Sequence, residues 1–386
     1  MTDQLPSAAL LGTARALRPR LLAERERIEA GRRLPDDLAR DLAHAGFFRI
    51  WLPAAYGGLD LTPTEGLAIY EELARADASV AWCVWNGNTN WTTARLAEAA
   101  ALELFADPDA IFANSTQAKG RAVVVEGGYR VSGRWSLVSG CQLSAGLALT
   151  CVVYEGDAPR PSATGAPETR FMHCAAADCE IIDTWTAGGL RGTGSHDVAV
   201  QDLFVPARHS SWHTDPLVLP GRAYRFGLRV GPGLGAVALG IARGAIEALV
   251  ELGGAKRPER SDRALAEDPR AQSRLAQADA LVRAARLYLF DAVGTLWDEV
   301  IAGRPGTPEQ RAQILQANYH AVAAAVDAVD LVQRLGGATS LYTTSPLERA
   351  FRDVHAVTQH IGVHPRTLES TGKVLFGLEP DPIFRG

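Results

Sequence analysis

The chain has 386 residues, 47% of them hydrophobic and 22% charged, with a formal net charge of -5. That is an ordinary globular composition, long enough for two or three domains around a large shared core. No basic patch dominates, so nucleic acid is not an expected partner.

In chain order, the N-terminal stretch Met1 to Pro6 lacks a basic segment followed by an apolar run, so no signal peptide is expected. Leu10, Ala14, Leu17, Leu21 and Ile28 recur at helical spacing, and Pro19 predicts a kink or a split there. Pro35-Asp36-Asp37 opens a second helix that stops at Gly46, and Tyr56-Gly57-Gly58 reads as a turn. Pro63 starts a helix through Leu73, and an apolar segment runs from Ala78 to Trp91.

From about residue 111 the period changes to that of strands. Arg121 to Glu126, the turn Gly127-Gly128 and Tyr129 to Ser132 predict a β-hairpin. Leu147 to Tyr154 reads as a buried strand, Pro159 to Pro167 as a loop, and Arg170–Ala175, Cys179–Asp183 and Val198–Val205 as short strands of a small sheet or barrel. From about residue 221 helical spacing returns. The stripes Leu275 to Val300 and Leu315 to Val329, separated by Gly303-Arg304-Pro305-Gly306, predict an antiparallel helical hairpin within a bundle that includes Leu234 to Leu252 and helices after Ser345. The expected domains are therefore a helical one at 1–110, a β domain at 111–215 and a helical bundle at 221–386. A doubly wound α/β fold would need strands alternating with helices throughout, and this chain lacks that.

Cys83, Cys141, Cys151, Cys174 and Cys179 are scattered and odd in number, which argues against a disulfide framework and for a reducing compartment. The nine histidines are scattered too, with no zinc spacing, so no metal is expected. No run of 18 apolar residues suggests a membrane span, and the cytoplasm is the expected location.

Several segments resemble the acyl-CoA dehydrogenase superfamily. Glu72 to Ala81 (ELARADASVA) is similar to its N-terminal helical domain. Gly189 to Ser195 (GLRGTGS) with Val200 to Pro206 (VQDLFVP) is similar to its sheet. Gln333 to Gly337 (QRLGG) with Leu347 to Asp353 (LERAFRD) is similar to its C-terminal four-helix bundle. The resemblance spans nearly the whole chain in the right order. It implies an N-terminal helical domain, a middle β domain and a C-terminal bundle, and by analogy a homotetramer or homodimer.

Two departures bear on function. Dehydrogenases of this family often carry a catalytic Glu beyond the Arg-Asp pair; here Arg352-Asp353 is followed by His360 and Ile361, and isoleucine cannot take a proton. The Arg-x-x-Phe-Gly that helps hold the adenine half of FAD is replaced by Lys256 to Asp262 (KRPERSD). Both departures resemble the two-component, flavin-dependent monooxygenase branch, as does Gly133 to Gly140 (GRWSLVSG), whose serine in that branch lies near flavin N5. That resemblance implies a reduced FMN or FAD supplied by a separate NAD(P)H-flavin reductase, and O2 activated as a C4a-hydroperoxyflavin that oxygenates a small organic substrate.

By the same resemblance Ser139 and His360 are the expected catalytic pair, His360 as a base because imidazole titrates near neutrality. Trp135, Asn114, Ser115, Thr116, Ser139, Arg191 and Arg352 are the expected flavin contacts, with Gln333, Gly336 and Gly337 as a cofactor contact made across subunits. Trp82, Trp85 and Asn88, with Asn90, are the expected substrate pocket. Each has a plainer reading: a turn serine, a core tryptophan, a salt-bridged loop arginine, close helix packing at the glycines. Two other functions fit the fold, a dehydrogenase with a displaced base acting on an acyl thioester and a non-redox binding subunit.

Overall fold

The computed structural model describes residues 6–88, 92–219, 221, 223–226, 232–259 and 261–381. Among its described residues the N-terminal part holds six α-helices: α1 (Pro6–Ala23), α2 (Arg25–Gly31), α3 (Asp36–His44), α4 (Pro63–Ala76), α5 (Ala78–Gly87) and α6 (Glu98–Leu104). Pro19 lies inside α1 without ending it; the break falls at Glu24 instead. Proline removes one backbone hydrogen bond, but Leu10, Ala14 and Leu21 are buried on both sides of it, and that packing carries the helix through. Thr62 and Glu65 form a reciprocal capping box around Pro63 at the start of α4. Asp77 accepts from the Val80 amide to start α5.

The middle is an open sheet of eight strands: β1 (Phe112–Val125), β2 (Gly128–Val138), β3 (Gly146–Glu155), β4 (Ala158–Pro159), β5 (Thr169–Ala175), β6 (Glu180–Ile182), β7 (His196–Pro206) and β8 (Ser210–Ser211). The order is β6-β7-β2-β1-β3-β5-β8, with β4 paired to β3. The hairpin turns at Gly127, whose φ of +77° favours glycine, and its strands are longer than the alternation suggests. The path does not close on itself among the described residues, so the architecture is a sheet and not a barrel. β1 and β3 run parallel, and their register slips between Ser115 and Gly120. That irregularity bends β1 where it meets the helices.

The C-terminal part is a bundle of α7 (Gly233–Ala255), α8 (Pro269–Ile301), α9 (Pro308–Gly336) and α10 (Pro346–Val357), with α11 (Arg366–Leu375) laid on α9. Helix α7 is long and apolar enough to cross a membrane by length and composition, but most of it is buried against α4 and α9. It approaches α4 through glycines. A Cβ on Gly240 would stand 2.3 Å from the Glu71 carbonyl oxygen, and one on Gly244 would stand 2.5 Å from that of Arg75. One apolar core is therefore continuous from the N-terminal helices into the bundle, and a second fills the sheet.

Candidate functional site

Where sheet, N-terminal helices and bundle meet lies a cavity of about 1180 Å³. Small-molecule pockets commonly measure roughly 300–1,000 Å³, so this one has room for more than a single compact ligand. Its wall comes from α5 (Trp82, Trp85, Asn86), from the bent part of β1 (Asn114 to Gln117), from the turn just after β2 (Ser139), from the loop 185–195, and from α10 and the turn after it.

Ser139 sits at the centre of a chain of hydrogen bonds. Trp82 Nε1 donates to its hydroxyl at 3.0 Å. Ser139 Oγ lies 2.7 Å from Ser195 Oγ, which lies 2.7 Å from Thr193 Oγ1. Thr193 donates to the Leu190 carbonyl at 2.8 Å. A hydroxyl has one proton to give. Since Thr193 gives its proton to Leu190, Ser195 must donate to Thr193, and Ser139 to Ser195. The relay thus directs every proton into the protein, leaving Ser139 as a hydrogen-bond acceptor at the cavity wall.

His360 stands beside this relay, edge-on to Trp82 and Trp85 at centroid distances of 5.7 and 5.6 Å. Its Nδ1 accepts from the Gly362 amide at 3.0 Å, capping the turn Ile361–Val363. Burial pushes its pKa down to about 4. At neutral pH the ring is uncharged, and with Nδ1 occupied by a donor the proton sits on Nε2. His360 therefore caps a helical turn and lines the cavity as well.

Asn86 links the two sides of the wall. Its amide donates to the Ser139 carbonyl at 2.7 Å, and its Oδ1 accepts from Asn114 at 2.7 Å. Ser115 and Thr116 line the same stretch, Ser115 buried and Thr116 exposed. Arg352 lines the opposite wall, ion-paired to Glu348 at 2.6 Å and Glu29 at 2.8 Å and donating to the Gly188 carbonyl.

Other expected contacts lie elsewhere. Trp135 is fully buried in the sheet core, packed on Gly120 and Gly133, with Nε1 bonded to the Thr150 carbonyl at 2.7 Å. The register of β2 against β7 slips between Trp135 and Val138, with Leu137 at a φ of +61°, and this irregularity breaks the alternation, so that Trp135 stays in the core while Leu137 and Ser139 reach the cavity. Arg191 is paired with Glu29 at 3.2 Å and is not part of the cavity wall. Gln333, Gly336 and Gly337 sit at the far end of α9, where Gly336 packs on Ser340 and Leu347; the contact expected of them is with a cofactor across a subunit boundary, not with this cavity. Asn88 borders the cavity, but its amide is used on the backbone: it accepts from Ile50 at 2.8 Å and donates to Phe47 and Val84 at 2.7 Å each. Asn90 lies outside the described residues. Sequence reasoning missed Asn86, Gln117, Thr193, Ser195, Arg95 and Arg311. Asn86 follows Trp82 and Trp85 on one helical face, a spacing that points to it; the others converge only through the fold.

No Asp or Glu is among the described residues lining the cavity. A wall of hydroxyls, amides and arginines, without carboxylates to repel phosphate, fits a flavin. It does not offer the carboxylate base that dehydrogenation by this fold often uses.

Comparison with known proteins agrees. The family models for the N-terminal and C-terminal domains of acyl-CoA dehydrogenase match residues 9–101 and 233–365. An indole-3-acetate monooxygenase of Acinetobacter baumannii is 31% identical over 356 residues, 90% of this chain and 88% of that protein. The flavin-dependent monooxygenase oxygenase subunit HsaA of Rhodococcus jostii is 30% identical, covering 94% of this chain and 97% of its own. The crystal structure of XiaF from a Streptomyces species, in complex with FADH2 and glycerol, superposes with a TM-score of 0.88 at 26% identity, covering 97% and 96% of the two chains.

Proposed function

Because the chain belongs to the flavin-dependent monooxygenase branch of the acyl-CoA dehydrogenase superfamily, we propose that it is the oxygenase component of a two-component system. It takes reduced FMN or FAD from a separate NAD(P)H-dependent flavin reductase and oxygenates a small aromatic substrate. When bound, the reduced flavin supplies the two electrons that activate O2; one oxygen atom enters the substrate and the other leaves as water. The observation that carries this reading is the polarised relay ending on Ser139, set beside Trp82, Trp85 and His360 in a cavity with no carboxylate among its described lining residues.

The roles of the chain's own residues follow from their chemistry. Ser139 offers a lone pair to a donor, and the N5–H of a reduced flavin is such a donor. Asn114, Ser115 and Gln117 offer amide and hydroxyl groups suited to a pyrimidine edge. Trp82 and Trp85 exclude water from the reacting centre and give a flat ring something to lie on. His360 contributes one N–H donor from Nε2. The apolar side chains of Leu341, Tyr342, Leu375 and Phe376, exposed on the single chain, support a homotetramer or homodimer that covers them.

The test is rapid mixing of protein, loaded anaerobically with reduced FMN or FAD, against oxygenated buffer. The expected result is a transient absorbance distinct from both reduced and oxidised flavin. Ser139→Ala should shorten it, release more hydrogen peroxide per flavin oxidised and lower the coupled rate by roughly 10²-fold, as for other preorganised polar groups. Direct return to oxidised flavin in the unaltered protein, with any substrate present, would remove the oxygenase reading. Unchanged coupling in the variant would remove Ser139 from the mechanism.

A further inference from the structure

The sheet is open, yet its two ends come close at one point. In the order β6-β7-β2-β1-β3-β5-β8, β6 stands at one end, and at the other end β8 pairs only with Phe171 and Met172 of β5. The last residues of β5 therefore have no strand on that side among the described residues. Cys174 lies in this uncovered stretch. The short helical turn Ala176–Asp178 then carries the chain to Cys179 and into β6. The two sulfurs face each other across the gap at 3.6 Å. The Cys-x4-Cys spacing alone did not mark them; the fold brings them together.

This pair differs from the other three cysteines. Cys83, Cys141 and Cys151 are buried, and burial pushes their thiols up, that of Cys141 to about 11. Cys174 is buried as well, in the sheet core with Leu147 and Met172. Cys179 is only half-buried, and Ala177 and Asp178 before it are exposed, so its sulfur is the one that solvent reaches. The hydrogen bond from Cys174 draws the Cys179 thiol below its ordinary value against the opposing effects of burial and Asp178; the same bond, with burial, pushes Cys174 up. The thiolate is the nucleophile in sulfur oxidation, so Cys179 is the sulfur that attacks and Cys174 the one that resolves.

We propose that Cys174 and Cys179 are a peroxide-modification site, at which oxidation forms a reversible disulfide that joins β5 to β6 across the open side of the sheet. The Cys179 thiolate attacks one oxygen of hydrogen peroxide, the O–O bond breaks, and the other oxygen leaves as water once protonated. The Cys174 sulfur then attacks the Cys179 sulfenic acid and expels its oxygen, which takes the Cys174 proton as a second water. Two thiols lose two electrons, and peroxide is reduced to two waters. A disulfide holds its sulfurs at about 2.05 Å, so the pair must draw together; the exposed turn 176–178 and rotation of the two side chains supply that movement. A reduced flavin that meets O2 without oxygenating a substrate releases hydrogen peroxide, so the proposed oxygenase makes this oxidant itself. Only the source of the peroxide depends on the oxygenase reading; the thiol chemistry does not.

The full chain is treated with added hydrogen peroxide, denatured, alkylated with iodoacetamide and mapped by peptide mass. Cys174 and Cys179 should leave the alkylated pool together, at least roughly 10-fold faster than Cys83, Cys141 and Cys151, and the peptide material carrying them should lose two hydrogens. Dithiothreitol should return both to the pool. In Cys174→Ser the resolving sulfur is gone, so Cys179 should stop at the sulfenic acid and be trapped by dimedone, which should label the unaltered protein little. Cys179→Ser should leave Cys174 open to alkylation. The proposal is overturned if both cysteines of the unaltered protein still alkylate after peroxide, if Cys179 goes on to sulfinic acid while Cys174 stays free, or if the disulfide joins other cysteines. The first measurement uses the unaltered protein, so a variant that fails to fold does not remove the test. A disulfide formed with added peroxide, in a protein that fails the oxygen-mixing experiment, supports the site and counts against the oxygenase reading alone.

Discussion

At His360 the two ring nitrogens have different work. Nδ1 receives the Gly362 amide and Nε2 borders the cavity, so the neutral ring donates and has no free lone pair on the cavity side. The sequence expectation of a base was drawn from the family resemblance and from residue type, and neither says which nitrogen is occupied. With burial holding the pKa to about 4, the imidazole stays neutral across the physiological range. Coupled product formation should therefore be flat between about pH 6 and 9 as far as His360 is concerned. His360→Asn, which keeps an N–H donor, should retain much more activity than His360→Ala. A rate that falls with a single ionisation near pH 6.5, together with equal loss in both variants, would restore the base assignment. Ser139 shows the same dependence on neighbours: its polarity is dictated by Thr193 and Leu190, far from it in sequence.

Among the elements, the loop between β6 and β7 decides how the sheet meets the bundle. The Leu190 amide donates to Asp353 at 2.6 Å, and Trp185 Nε1 reaches the Leu190 and Arg191 carbonyls at 3.2 and 3.1 Å. Gly189 lies so close to α10 that a Cβ there would stand 2.2 Å from the Arg352 carbonyl oxygen. Backbone cannot yield as a flexible side chain does, so Gly189→Ala should lift the loop and cost about 1–3 kcal/mol. It should also weaken flavin binding, because Thr193 and Ser195 ride on the same loop. Thermal unfolding and flavin titration check both; a variant with unchanged melting and affinity would show that the loop tolerates displacement. The glycines of this segment stood out in the sequence, but a near approach to a helix 160 residues later cannot be read from local spacing.

Across the whole molecule, Arg349 of α10 ties the bundle to the N-terminal helices. It pairs with Asp77 at 2.6 Å, lies 3.5 Å from Glu29 and 3.7 Å from Asp353, and donates to the Arg25 carbonyl at 2.8 Å. Asp77 also caps α5, so one buried contact sets the position of the helix that carries Trp82, Trp85 and Asn86. Burial, opposed by Arg349, pushes the Asp353 carboxyl up to about 6. Arg349→Ala leaves these carboxylates without their cation and should destabilise the fold by about 3–5 kcal/mol. Denaturant unfolding measures that directly, and a change below 1 kcal/mol would mean that solvent or rearranged neighbours replace the arginine.

The order of helices, sheet and bundle was legible in the sequence because hydrophobic period is a local property, and the long stripes of α8 and α9 repeat it many times over. So was the likeness to a flavin-using superfamily, and Ser139, His360, Trp82 and Trp85, singled out in the sequence, do line one cavity. The tertiary structure decided the rest. It sent Trp135 into the sheet core, because alternation assigns a face only once the strand is docked. It left Arg191 paired with Glu29 and used the amide of Asn88 on the backbone. It also brought Arg95 and Arg311, more than two hundred residues apart, into the lining of one cavity, with no acidic side chain among its described lining residues. Charge balance inside a cavity depends on which side chains converge there, and convergence is a property of the folded chain.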